Sequence, residues 1–180
     1  MTTKTVVRDR IGLPFTIFRA RDALDDHEAG IMIPAPVGAA EAAGGAKLVE
    51  AGVLEGTTVK LLFSRPGLSL TYVWFKSGFP LPRHSHDADC AYFIIAGSLR
   101  IGTEELGPGD GFFVGKDVPY TYTPGENGVE VLEVRTANEF DIKLHAGNPA
   151  WWDKALENLL ANRDSWPDQA TPPSGLKVGS

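Results

Sequence analysis

The sequence predicts an all-β fold, a small barrel or sandwich with an arm before it and a helix behind it, and three observations carry that prediction. Between residues 58 and 135, short runs of strand-forming residues alternate with turns that contain Gly or Pro, the pattern of many short strands packed as a sandwich or closed as a barrel. Asn127 and Gly128 separate two such runs, and both residue types tolerate the positive φ of a tight hairpin turn. Behind the strands, Asn148 and Pro149 precede apolar residues at helical spacing, which places one helix there.

Taken in order, residues 1–57 read as an arm. They hold a β-like segment at 13–18, a charged stretch at 19–28, and an Ala/Gly-rich run at 38–46 whose small residues suggest a loop or a weak helix. Residues 58–136 read as the barrel. Strands are expected at 59–63, 70–76, 91–95, 98–101, 111–114, 120–122 and 129–134, with a turn at Arg65, Pro66 and Gly67 and a hairpin at Asn127 and Gly128. Residues 137–180 read as a helix and a tail. Asn148 can cap a helix over 149–162, with Pro149 at its first position, and Trp152, Leu156, Leu159 and Leu160 form an apolar face that packs on the outside of the barrel or binds a partner, the first preferred. Pro, Gly and Ser then dominate residues 167–180, which are expected to be mobile. No internal repeat is visible.

Composition narrows the partners. A chain of 180 residues with 43% hydrophobic content is long enough to bury a core without disulfide or metal staples. One cysteine makes no internal disulfide, no charged-then-apolar leader opens the chain, and no apolar run approaches the ~20 residues of a bilayer span. A soluble protein of the reducing cytoplasm is expected. A net charge of −6 without a Lys/Arg cluster speaks against nucleic acid and against anionic membranes. The expected partner is a small molecule.

The chemistry-bearing stretch runs Gly78, five residues, His84, Ser85, His86, three residues, Cys90, six residues, Gly97. Histidines two apart on a strand share a face. On the concave side of a small barrel, their nitrogens come within reach of a single transition-metal ion. A second stretch runs from Gly109 to Tyr120 through Gly115 and Asp117.

The two stretches together resemble the paired motifs of the cupin superfamily. The first motif there is Gly, five residues, His-x-His, three or four residues, Glu, six residues, Gly, and here Cys90 stands at the acidic position. The second is Gly, five residues, Pro-x-Gly, two residues, His. In this chain Gly115 stands for the proline, Asp117 for the second glycine and Tyr120 for the histidine. The resemblance spans residues 58–135 and implies an RmlC-like double-stranded β-helix, or jelly-roll, barrel. It further implies a divalent metal ion (Fe, Ni, Mn or Zn) on His84 and His86, with dioxygenase-like or Lewis-acid chemistry on a small organic molecule. Half of the family's ligand positions are replaced, so Cys90, Tyr120 or Glu133 would have to assist. A homodimer formed by exchange of the segment at 13–18 is a further implication.

Several side chains keep more than one reading. Cys90 is a thiolate ligand or a small buried residue. Tyr120 is a phenolate ligand, a proton donor, or a hydrogen-bond donor to a bound molecule, the last preferred. Glu133 and Arg135 share a strand face. Facing inward, Arg135 would pair with a substrate carboxylate and Glu133 would act as ligand or base; facing outward, they would be a surface ion pair. Asp87 and Asp89 lie at odd offsets from His86 and are expected to be solvated, and His27 and His145 are isolated surface residues. Phe75, Tyr92, Tyr120 and Tyr122 would line a pocket. Three functions fit these residues: a metal-dependent enzyme, a metal-free isomerase or epimerase using His84 or His86 with Tyr120, or a non-catalytic receptor for a small ligand. No basic recognition helix is visible, which disfavours a transcription regulator.

Overall fold

The structure, a computed structural model, describes residues 15–179. In chain order the elements are β1 (Leu24–Asp25), α1 (Asp26–Ala29), β2 (Met32–Pro34), α2 (Ala39–Glu50), β3 (Thr57–Arg65), β4 (Leu68–Phe75), β5 (His84–Ser85), β6 (Cys90–Ile101), β7 (Glu104–Leu106), β8 (Gly111–Val114), β9 (Thr123–Arg135), β10 (Phe140–Leu144) and α3 (Pro149–Asn162). A large sheet runs β1-β3-β4-β9-β6-β7, with β8 also on β6, and a small sheet runs β2-β10-β5. His84 and Tyr120 exchange backbone hydrogen bonds of 3.0 and 2.9 Å, which tie β5 to the chain entering β9. The result is a jelly-roll barrel, the fold that the resemblance implies.

Pleating sorts the side chains. Thr71, Val73 and Phe75 on β4, Val129, Val131, Glu133 and Arg135 on β9, and Cys90 and Tyr92 on β6 line up rung by rung in the register of the large sheet. Val73, Phe75, Cys90, Tyr92, Ile94, Val129, Val131, Tyr120 and Tyr122 belong to one buried cluster, the barrel interior. Alternate residues face the other way, as period two requires. There Leu62, Tyr72 and Trp74 are covered by Ala20, Ala23 and Val178.

Several expectations change. Leu13 and Pro14 lie outside the described residues, and 15–18 form no strand within the single chain. The remaining arm is woven into the barrel, because β1 pairs with β3 and β2 with β10. The Ala/Gly-rich run is a full helix, α2, whose small residues allow α3 to approach closely. Asn127 and Gly128 make no hairpin. They lie within β9, where Pro124 is opposite Leu99 and Val129 opposite Gly97, so residues 125–128 bulge across from Ser98. Positive φ is still what the pair supplies, at Gly128 (φ 72°). Instead of a strand at 120–122, Tyr120 alone makes an isolated bridge to His84.

The helix at 149–162 has the expected bounds, and Asn148 Oδ1 accepts the Ala150 N–H at 3.1 Å. Trp152 and Leu159 are buried and Leu156 is half-buried, but Leu160 is exposed and Ala155 takes its place on the buried face. The tail is seated, where mobility was expected. Glu130, fully buried on the outer face of β9, accepts from Tyr72 Oη, Ser174 N and Ser174 Oγ at 2.6–2.7 Å.

A Cβ on Gly44 would lie 2.2 Å from two carbons of the Trp152 ring. Alanine gains about 1 kcal/mol of helix propensity over glycine, but overpacking a closed contact costs typically ~1–3 kcal/mol. Gly44→Ala is therefore expected to lower the urea midpoint; a higher midpoint would show that α2 and α3 can part at no cost.

Candidate functional site

One end of the barrel interior is polar. Two adjacent rungs across β4, β9, β6 and β8 carry Thr71, Glu133, Tyr92 and Phe112, then Ser69, Arg135, Cys90 and Val114. Glu133 and Arg135 thus face inward, settling the register that sequence leaves open. Arg135 is 1% exposed. Its Nη1 donates to Glu133 Oε2 at 3.1 Å and its Nη2 to Tyr92 Oη at 3.2 Å, while the guanidinium lies 3.9 Å above the Phe140 ring. Burial, the largest single influence, works against its charge, but Glu133 together with Tyr92, Cys90 and Tyr120 outweighs it and the guanidinium stays protonated.

Opposite stand the two histidines. β5 and the loop after it place both rings inward, centroids 5.0 Å apart, with Ser85 turned away to bond His145 at 2.8 Å. His84 Nδ1 lies 2.8 Å from the Pro82 carbonyl and His86 Nδ1 lies 2.6 Å from that of Asp141. A carbonyl can only accept, so each Nδ1 carries the hydrogen and each Nε2 keeps its lone pair. Burial first, with Arg135 adding to it, pushes His84 down to about 4 and His86 down to about 3, and both rings are neutral at neutral pH.

A hydrogen-bond chain joins the two sides: His84 Nε2 to Tyr120 Oη at 2.9 Å, Tyr120 Oη to Tyr92 Oη, and Tyr92 Oη to Arg135 Nη2. Its ends set its direction. Arginine only donates, and the lone pair of His84 Nε2 only accepts. Tyr92 therefore accepts from Arg135 and donates to Tyr120, and Tyr120 donates to His84. Burial, then Glu133, holds both phenols above their ordinary range, so they are protonated at rest. The chain leaves His86 Nε2 outside it, without a hydrogen bond among the described residues.

The donors do not complete a metal site. Nε2 of His84 is engaged by Tyr120, the Glu133 carboxylate is engaged by Arg135, and the Arg135 charge opposes a dication beside both rings. Cys90 packs in the core, its Sγ 3.7 Å from Ala91 O, and burial pushes its thiol up to about 12, far from a thiolate. Among the described residues no three of His, Cys, Asp and Glu converge as a metal would require. Cys90 therefore keeps the packing role and does not join His84 and His86.

Other predicted residues divide. Tyr92 and Arg135 join the polar end, while Phe75 and Tyr122 lie in the apolar interior, Phe75 stacked on Phe79 at 4.5 Å. Asp87 and Asp89 are not merely solvated. Asp87 and Asp141 bond each other's backbone N–H at 2.8 and 2.9 Å, and Asp89 accepts the Lys116 N–H at 2.7 Å, which fixes the loop that carries His86. Asp117, at the second motif's glycine position, takes the left-handed conformation that position requires, with φ 60°. His27 and His145 are exposed as expected. Sequence reasoning missed Thr71; its only signal was its spacing from Val73 and Phe75, useful once the face is known.

No family model and no curated protein matches this sequence. Similar solved structures include KdgF from Halomonas sp. (20% identity over 46% of this chain and 79% of that one, TM-score 0.42) and an RmlC-like cupin from Shewanella frigidimarina (20%, 46% and 78%, TM-score 0.42). The polyketide cyclase RemF from Streptomyces resistomycificus aligns at 19% identity over 58% of this chain and 84% of that one, with a TM-score of 0.47. At this level of likeness no activity carries over to this chain. Among the described residues, no helix is long and apolar enough to cross a membrane.

Proposed function

We propose that the barrel takes a small carbonyl-containing molecule into its polar end and moves a proton on it, as an isomerase or epimerase does. His86 is the base, because its Nε2 is the imidazole acceptor left open, the Nε2 of His84 being engaged by Tyr120. Tyr120 is the acid. When His86 removes a proton from carbon beside the carbonyl, Tyr120 turns from His84 and gives its proton to the carbonyl oxygen, and Tyr92 passes its own to Tyr120. The books close on an enol, an imidazolium at His86 and a phenolate at Tyr92, the last held against the Arg135 guanidinium 3.2 Å away. Glu133 supports Arg135 and is a positioning residue in this scheme.

Deuterium uptake from D2O at the carbon next to the carbonyl, followed by NMR over a panel of small 2-keto acids and ketones, tests it. Wild type is expected to accelerate uptake on at least one compound above the uncatalysed rate. His86→Gln should reduce that acceleration ~10²-fold or more, the range of general-base catalysis. Uptake unchanged by His86→Gln would remove the base from the scheme. Compounds that bind without exchange would leave the barrel a receptor.

One observation favours a second reading: both Nδ1 hydrogens are locked on carbonyls, as second-shell partners lock metal-binding histidines. Elemental analysis of protein purified without an affinity tag separates the two. Near-stoichiometric iron, nickel, manganese or zinc, lost in the His84→Ala/His86→Ala variant, would replace proton transfer with metal chemistry.

A further inference from the structure

Two buried polar atoms on the barrel interior have no partner, Nε of Arg135 and Oγ1 of Thr71. Both residues are almost fully buried, at 1% and 3% exposed. Thr71 is opposite Glu133 and Ser69 is opposite Arg135, so Thr71 and Arg135 are diagonal neighbours on one face. Diagonal pairs on an antiparallel sheet have Cβ atoms within about 7–8 Å, within reach of a long side chain. Both Nη nitrogens have a partner, Glu133 for Nη1 and Tyr92 for Nη2, and Phe140 covers the flat face. The one guanidinium nitrogen with no partner is Nε, on the same interior face as the unpartnered Thr71 hydroxyl.

Buried donors without acceptors are rare in folded proteins, because each has given up water for nothing. Here two of them sit on the same interior face as the residues assigned to the reaction. We propose that Arg135 Nε and Thr71 Oγ1 anchor a carboxylate of the bound molecule, which makes the ligand class a small monocarboxylate. This deepens the proton-transfer reading and rests on it for the reaction, though not for the binding. Charge sets the limit at one carboxylate. Glu133 already balances Arg135, and Asp26, half-buried on the neighbouring α1, feels Glu133 as a like charge, so a second anionic group would meet repulsion.

The test is an NMR chemical-shift titration of the full-length protein with propionate, its neutral isostere propionamide, and the dianion malonate. Propionate is expected to bind, and propionamide and malonate to bind much more weakly. Thr71→Val keeps the shape and removes the hydroxyl. It should weaken propionate ~10-fold, the usual effect of losing a hydrogen bond to a charged group. The thermal midpoint of the unliganded variant should not fall, since no protein partner is lost. Arg135→Lys keeps the charge and loses the Nε edge, and should weaken propionate by a similar factor. Equal binding of propionate and propionamide, no propionate binding to wild type, or propionate affinity unchanged in Thr71→Val would overturn the anchor. The two readings fail separately. Thr71-dependent carboxylate binding in a protein that exchanges no deuterium keeps the anchor and rejects the chemistry, and exchange indifferent to Thr71→Val does the reverse.

Discussion

Between pH 6.5 and pH 4 the folded protein is expected to lose much of its stability. His84 and His86 titrate at about 4 and about 3 in the fold, against an ordinary value of 6.5, because burial penalises the charged rings and Arg135 adds to the penalty. As pH falls through 6.5, the unfolded chain binds two protons that the folded one refuses, so the unfolding free energy falls with pH. Each such proton is worth at most about 1.4 kcal/mol per pH unit, and because the rings titrate gradually at both ends of the range the two together amount to roughly 5 kcal/mol. A typical domain has only ~5–15 kcal/mol in total. Asp26 acts in the opposite sense, since burial raises its carboxyl and the folded protein takes up that proton at higher pH than the unfolded chain does. Urea unfolding at a series of pH values reads the slope directly. His84→Gln or His86→Gln should each remove about one proton from it, and a flat profile from pH 6.5 to 4.5 would mean that the rings are protonated inside the barrel.

Arg135→Met is expected to destabilise the protein by ~3–5 kcal/mol, the cost of breaking a buried ion pair from one side. Three contacts fail together. Glu133, with a side chain 13% exposed, keeps its charge without its partner, Tyr92 Oη loses its donor, and Phe140 loses the stacked cation. Arg135→Met/Glu133→Leu should be more stable than Arg135→Met alone, because the orphaned carboxylate goes too. A double-mutant cycle on urea midpoints decides it. If the double variant is no better than the single one, the loss comes from packing on Phe140 and the charge pair is not the cause.

Local signals were legible wherever the chain itself supplied both partners of an interaction. The helix at Pro149–Asn162 and its Asn148 cap were readable because cap, first-turn proline and apolar spacing all lie within one segment. The spacing of the two motifs pointed to the barrel for a similar reason, since glycines and histidines at set intervals reflect turns and strand faces. Local signals misled where a distant segment changed their meaning. Asn127 and Gly128 have the φ preferences of a hairpin, but β6 and β9 pair past them and turn the same preferences into a bulge. Residues 38–46 looked weakly structured because glycine lowers helix propensity, and only Trp152 against Gly44 explains why small residues stand there. Glu130 is an ordinary strand residue until Ser174 is brought onto it from 44 positions away.

The candidate site divides along the same line. His84 and His86 on one face, and Glu133 with Arg135 on another, follow from the two-residue period of a strand and were determined by the sequence alone. Which way those faces point, that Thr71 shares the interior with them, and that Tyr120 reaches His84 while Cys90 stays in the core were decided by the tertiary structure. Period two assigns residues to a common face without telling inside from outside, and a one-residue shift in pairing would reverse every assignment. Only the closing of β3, β4, β9 and β6 around an apolar interior selects the register, because that register alone buries Val73, Val129 and Val131 together.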